Sequence, residues 1–162
     1  MGVRLRTPLV PGGALAVALV LGTSIGHAVD EPANIVKYRQ ATMKAIGGHT
    51  AAIASVVKGE TGFTDEVALH ARAINDLSQN LLRLFPEGTG EEAGEKTRAL
   101  PVIWQWWHDF ETIVKALQDT SAELVTAAES GDMTAVRRAF APMGKQGCGA
   151  CHETFRAEEE GA

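Results

Sequence analysis

The chain has 162 residues, of which 45% are hydrophobic, and a formal net charge of −5 at pH 7. This acidic balance argues against nucleic acid as a partner, because phosphates require a basic surface. The two cysteines are too few for the framework of a disulfide-rich fold.

The first 28 residues are predicted to be a secretory signal peptide rather than part of the fold. Arg4 and Arg6 make the start positive, residues 12–21 are apolar and uncharged, and small residues precede a cut after Ala28. The apolar run is shorter than the ~20 residues of a membrane span, and the alternative is an uncleaved N-terminal anchor. Cleavage would leave one domain, residues 29–162, that is exported without a stable membrane anchor.

Two amphipathic helices are predicted in the first half of this domain. Pro32 suits the first turn of the first helix, and Gly59 ends it. The first stripe comprises Val36, Arg39, Met43, Ile46, Thr50, Ile53 and Val57. Thr64 is the predicted N-cap of the second helix, whose apolar stripe runs over residues 67–84.

Two further helices follow a loop that begins at Phe85 and runs to Ala99. Pro101 starts the third helix, Gly131 ends it, and Asp132 caps the fourth. The stripe of the third helix comprises Ile103, Trp107, Phe110, Val114, Leu117, Ser121, Leu124 and Ala128. The stripe of the fourth helix comprises Val136, Phe140, Met143, Gly147, Cys151 and Phe155. Four such helices with short first and third connections predict an all-α fold, an antiparallel four-helix bundle.

Other aromatic and imidazole side chains are assigned by their place on these stripes. Trp104 and Trp107 fit the core face of the third helix, and Trp106 is expected to point away. The histidines at positions 49, 70 and 108 lie at polar or boundary positions, so we expect surface or hydrogen-bonded side chains.

The segment Cys148-Gly149-Ala150-Cys151-His152 is a C-x-x-C-H pattern, which is the attachment signature of a c-type haem. On a helix, Cys148 and His152 share one face, so two thiols can bond the haem vinyl groups while the histidine reaches the iron. A disulfide between the two cysteines would close a small, strained loop, and a structural zinc site needs a second ligand pair that is missing. The remaining alternative is a haem-free helical protein that uses the thiols to bind a metal or a partner.

Residues around the motif suggest where the haem would lie. Arg39 interrupts an apolar stripe and needs a partner, for which a haem propionate is suitable. Met43, one turn later, would then lie over the distal side, or simply fill the core. Arg156 lies one helical turn after His152. Its guanidinium either lies beside the imidazole or is a solvated cation that interacts favourably with the C-terminal end of the helix dipole. Pro142 should kink the fourth helix, where Gly144 and Gly147 are either local imperfections or leave room for a porphyrin face.

The chain resembles the class II c-type cytochromes, the cytochrome c′ family, over nearly the whole domain. The segments that carry the resemblance are Val36-Lys37-Tyr38-Arg39-Gln40, Val56-Val57-Lys58-Gly59, Phe63, Leu100-Pro101-x-Ile103-Trp104 and Cys148-x-x-Cys151-His152-x-x-Phe155-Arg156. The resemblance implies a periplasmic bundle, usually a homodimer through helices one and two, with one covalent haem c.

The resemblance also implies the roles of individual residues. Cys148 and Cys151 would hold the haem covalently, and His152 would be the proximal iron ligand. The remaining contacts would come from Arg39, Gln40 and Thr97 to the haem propionates, from Met43 on the distal face, and from Arg156 on the proximal side.

Two functional predictions follow from Met43. If it does not bind the iron, the haem is five-coordinate and binds small gases such as nitric oxide and carbon monoxide. If it does, the protein is a six-coordinate, low-spin Met43/His152 electron carrier, because Met/His ligation favours electron transfer at a raised potential. In either case the expected partners are redox proteins, and no catalytic acid, base or nucleophile is evident, so no enzyme is predicted.

Overall fold

The computed structural model describes residues 1–2 and 31–158. The predicted signal peptide and its cut after Ala28 lie outside the described residues. The α-helices over 31–158 are α1 (Pro32–Val57), α2 (Val67–Ser78), α3 (Val102–Gln105), α4 (Trp107–Glu129), α5 (Met133–Pro142) and α6 (Ala150–Phe155). This range contains no strand, only an isolated antiparallel bridge between Ala99 and Arg156.

The helices form the predicted antiparallel four-helix bundle. Its four rods are α1, α2, α3 with α4, and α5 with α6, and the main packing contacts join α2 to α4, α1 to α2, and α4 to α5. None of the helices over 31–158 combines the length and the apolar character that a membrane crossing requires.

Several predicted helix ends are confirmed. Pro32 is in the first turn of α1, and Gly59 follows its end with a φ of 78°, a conformation that favours glycine. Gly131 does the same after α4, with a φ of 73°. The Asp132 carboxylate accepts a hydrogen bond from the backbone N–H of Thr134, as an N-cap should.

The second rod differs from its prediction at both ends. Thr64 makes no side-chain cap and instead begins a 3₁₀ turn, Thr64–Glu66. The α-helix ends at Ser78, six residues before the predicted end, and Leu81–Leu84 is again 3₁₀. The Ser78 hydroxyl donates to the carbonyl of Asn75 at 2.7 Å, and such local side-chain bonds compete with continuation of a helix.

The third rod is broken at Trp106, whose φ of −115° and ψ of 48° are not helical. A single helix from Pro101 was therefore the wrong prediction. The tryptophan assignments are confirmed, because Trp106 is 55% exposed whereas Trp104 and Trp107 pack against the core. Trp104 donates its indole N–H to the carbonyl of Phe85.

The fourth rod changes character after Pro142, which ends α5. Met143–Gly149 is a π-helical segment that leads into α6. Proline lacks a backbone N–H, and a wider turn is one way in which a helix accommodates that loss. A Cβ added at Gly147 would lie 2.8 Å from Leu117 Cδ1 and 3.0 Å from its Cα, so Gly147 serves close packing on α4. A Cβ added at Gly144 would have no neighbour within 4 Å outside its own stretch of helix.

Candidate haem-binding site

The cysteine motif spans the junction of the π-helical segment and α6. Cys148 lies in the π-helical segment, and Cys151 and His152 lie in the first turn of α6. All three side chains are half-buried. Two cavities, of about 330 Å³ and about 440 Å³, are both lined by Cys151, His152, Met43 and Gly47.

The smaller cavity is enclosed largely by apolar side chains. It lies between α1, α4 and the π-helical segment, and its walls include Ile46, Leu81, Ile113, Val114, Leu117 and Cys148. Such a lining suits the flat apolar face of a macrocycle.

The larger cavity has a positively charged lining. Arg39, Lys44, Arg98 and Arg156 all line it, together with the aromatic rings of Phe85, Phe110 and Phe155. The Phe110 ring makes edge-to-face contacts with the other two, at centroid distances of 4.9 and 5.3 Å. This cavity therefore offers an aromatic floor and cationic groups that can bind carboxylates.

Arg39 is the most unusual residue of the site, because it is charged and only 3% exposed. Its Nη1 donates to Leu84 O and Thr89 Oγ1, both at 3.1 Å, and its Nη2 donates to Thr89 O at 2.8 Å and Thr97 Oγ1 at 3.0 Å. The guanidinium carbon lies 4.6 Å from the centroid of Phe85. Burial lowers the pKa of Arg39. All four acceptors are neutral, so the described contacts leave this cation without a countercharge.

Thr89 is a site residue that the sequence reasoning missed. It is 1% exposed, and its hydroxyl donates to Pro86 O at 2.7 Å while accepting from Arg39. Thr89 lies 50 positions from Arg39 in an irregular loop, so the periodicity of apolar residues gives no indication of their contact. The sequence around Thr89, a threonine between two glycines shortly after a proline, predicts only a turn.

Two further predicted residues lie along the same edge of the cavity. Gln40 Nε2 donates to the carbonyl of Lys96 at 2.6 Å, and the Thr97 hydroxyl accepts from the N–H of Ala99 at 3.2 Å as well as from Arg39. The segment that carries Thr97 is also fixed to the end of α6. Leu100 N–H donates to Phe155 O at 3.0 Å, and Ala157 N–H donates to Arg98 O at 2.9 Å.

Electrostatics favour a neutral imidazole at His152. Burial lowers its pKa, and the positive charges of Arg156 and Arg98 lower it further. A neutral ring has the free lone pair that a metal requires. Burial also raises the pKa of the Cys148 thiol, and it raises that of Cys151 to about 11 with a smaller contribution from Cys148.

These residues fit a haem. Two thiols and a neutral imidazole converge on the smaller, largely apolar cavity. The buried Arg39, on the wall of the larger cavity, has no anion among its described contacts, and a propionate would supply one. The described ranges contain no cluster of three or more histidine, cysteine, aspartate or glutamate side chains that could hold a metal ion.

A family model described as cytochrome C′ matches residues 34–156. The chain belongs to the cytochrome c′ family. It is 35% identical to cytochrome c′ of Rhodospirillum rubrum over 143 residues, covering 88% of this chain and 95% of that one. It is 38% identical to cytochrome c′ of Pararhodospirillum photometricum over 125 residues, covering 77% and 98%.

Solved cytochromes c′ have the same fold. A nitric oxide complex and a carbon monoxide-bound form of cytochrome c prime variants from Alcaligenes xylosoxidans each match with a TM-score of 0.71 and 30% identity. Each match covers 80% of this chain and 98% of the other. The predicted family, the bundle fold and the c-type haem of cytochrome c′ are thereby confirmed for this chain.

Proposed function

We propose that this cytochrome c′ holds its haem on Cys148 and Cys151, with His152 as the proximal ligand, and uses it for electron transfer and for binding nitric oxide or carbon monoxide. The observation that supports this most is the convergence of both cavities on His152, Cys151 and Met43. The bound haem supplies an iron that changes between the ferrous and ferric states.

The chain's own residues would bind, orient and shield this group. His152 presents a neutral nitrogen, Arg39 provides a buried cation for a propionate, and Gln40 and Thr97 lie along the same edge. Arg156 adds positive charge on the proximal side. The largely apolar walls of the smaller cavity suit small uncharged ligands better than ions.

Met43 determines how the distal side is used. In the five-coordinate form that we favour, the Met43 thioether would pack beside the haem without binding the iron and would leave room for a diatomic gas. A second candidate, the six-coordinate electron carrier, is supported by the placement of Met43 on the wall of both cavities together with His152. In neither form do the residues supply acid, base or nucleophilic catalysis, so we propose a carrier and gas-binding protein rather than an enzyme.

The attachment is tested by producing the exported protein in a host that can attach haem and measuring its intact mass. We expect the mass of the chain plus one haem, and its loss in the Cys148→Ala/Cys151→Ala double variant. A mass without haem in the unaltered protein would contradict the proposal.

The coordination is tested by the visible spectrum of the reduced protein with and without carbon monoxide. A five-coordinate haem gives a high-spin spectrum that shifts on adding the gas. The six-coordinate candidate predicts a sharp low-spin α band that does not change when carbon monoxide is added. It also predicts a high-spin spectrum for the Met43→Leu variant. These two results together would establish that candidate instead.

We further propose that residues 1–28 direct export and that the domain works in the periplasm with redox protein partners. We also propose a homodimer through α1 and α2. Supporting this, Tyr38, Ala41, Ala45 and Gly48 form an exposed, uncharged stripe along α1, and Leu69 on α2 is 54% exposed.

A further inference from the structure

His49 on α1 and His70 on α2 face each other across the seam between their helices. His49 lies between the buried residues Ile46 and Ile53 of α1, and His70 lies between the buried residues Val67 and Ile74 of α2. Because these spacings are three and four residues, each histidine lies at the edge of the buried face of its helix. Their Nδ1 atoms are 2.8 Å apart, with ring centroids at 5.1 Å and planes tilted by 48°. This contact confirms the prediction that these two histidines are surface or hydrogen-bonded side chains, and it selects the second alternative. Neither lines the two cavities of the haem site.

We propose that His49 and His70 form a bidentate binding site for a divalent transition metal ion of tetragonal geometry, Cu(II) in particular. Imidazole nitrogens bind first-row metals at about 2.0 Å. Two such nitrogens at adjacent corners of a square then lie roughly 2.8 Å apart, whereas at tetrahedral angles they lie roughly 3.3 Å apart. The observed Nδ1 separation of 2.8 Å, which is that of a hydrogen bond in the metal-free pair, is close to the square distance and shorter than the tetrahedral one.

Binding requires the two side chains to reorient so that both Nδ1 lone pairs face the metal. In the metal-free pair, one Nδ1–H donates to the other Nδ1. On binding, the donating ring changes to its Nε2–H tautomer, both Nδ1 lone pairs turn from each other toward the metal, and no net proton is released. Because the described ranges contain no third ligating side chain in a cluster, water completes the coordination. Cu(II) is also the strongest binder of the divalent series at nitrogen sites.

Cu(II) titration of the ferric holoprotein, made without a polyhistidine tag, tests the site. With glycine as a competing chelator, we expect one equivalent to bind, and at least tenfold weaker binding in His49→Gln and in His70→Gln. His108→Gln is the matched control, because His108 is exposed on α4, and it should bind like the unaltered protein. Equal affinity in all four proteins would overturn the proposal.

Two measurements on the unaltered protein do not depend on how the variants fold. Pulsed EPR of the copper signal should show coupling to two imidazole nitrogens, and coupling to fewer than two would refute the chelate. Zn(II) should bind more weakly than Cu(II) under the same competition. Tighter Zn(II) binding would refute the tetragonal assignment.

Discussion

The buried guanidinium of Arg39 shows how one residue can organise an irregular loop. Its four hydrogen bonds join α1 to the carbonyls of Leu84 and Thr89 and to the hydroxyls of Thr89 and Thr97. Bonds of this kind to a charged group are worth more than neutral ones, and leaving buried carbonyls without a donor is costly. We therefore regard Arg39 as structural as well as haem-binding.

Replacing Arg39 with methionine keeps an unbranched, largely aliphatic stem and removes every donor of the guanidinium. We expect the free energy of unfolding to fall by roughly 3 kcal/mol, because buried acceptors lose their partners. Guanidinium denaturation followed by far-UV circular dichroism measures the change. Arg138→Met, at an exposed position of α5, is the control and should change stability little. Equal stability of the two variants would contradict a structural role for Arg39.

For single residues, the sequence was most informative where the residues of one site are close together in the chain. The attachment motif requires only residues 148–152, so it could be identified directly. Arg39 was identifiable because a charge interrupts an apolar stripe. Its partner Thr89 was not, because the contact spans 50 positions and depends on the path of a loop without periodicity.

At the scale of the elements, the close approach of the fourth rod to α4 depends on Gly147. A side chain there would contact Leu117 backbone and side-chain atoms at 2.8 to 3.0 Å. Gly144, in the same π-helical segment, has no such neighbour. Replacing each glycine with alanine therefore separates two effects on stability, that of packing against α4 and that of the backbone freedom of glycine.

We expect Gly147→Ala to lower the free energy of unfolding by about 2 kcal/mol, because overpacking forces α4 and the π-helical segment apart. Gly144→Ala should be neutral or stabilise by up to ~1 kcal/mol, since alanine favours helical backbone. Thermal or denaturant unfolding of both holoproteins gives the comparison. The packing argument fails if both alanines have the same effect.

Element boundaries were predictable where local chemistry sets them and not where tertiary contacts do. Pro32, Gly59, Gly131 and Asp132 are local signals, and each lies where it was expected. The early end of α2 and the break at Trp106 were not predicted, because the apolar stripe continues through both. Periodicity shows which face is buried, not whether the helix is continuous.

At the scale of the whole molecule, the proposed homodimer depends on the small residues of α1. Ala45 is exposed in the middle of the stripe formed with Tyr38, Ala41 and Gly48. Placing a glutamate there would bury a charge against its symmetry-related copy if two α1 helices met.

Light scattering at micromolar concentration should therefore give a dimer mass for the unaltered holoprotein and a monomer mass for Ala45→Glu. Ala122→Glu makes the same change at an exposed position of α4 and should remain dimeric. A monomer mass for the unaltered protein, or a dimer for Ala45→Glu, would refute the α1 interface.

The anchoring of the loop by Arg39 also bears on where this fold can vary in length. Thr89 and Thr97 are fixed to α1, and between them lies the short 3₁₀ turn Glu91–Ala93, whose two glutamates are exposed. Added residues there would leave both anchors in place, and doubling such a loop costs only about 0.6 kcal/mol of closure entropy. Insertions and deletions should accumulate at this turn, while the spacings from Leu84 to Thr89 and from Thr97 to Pro101 stay constant.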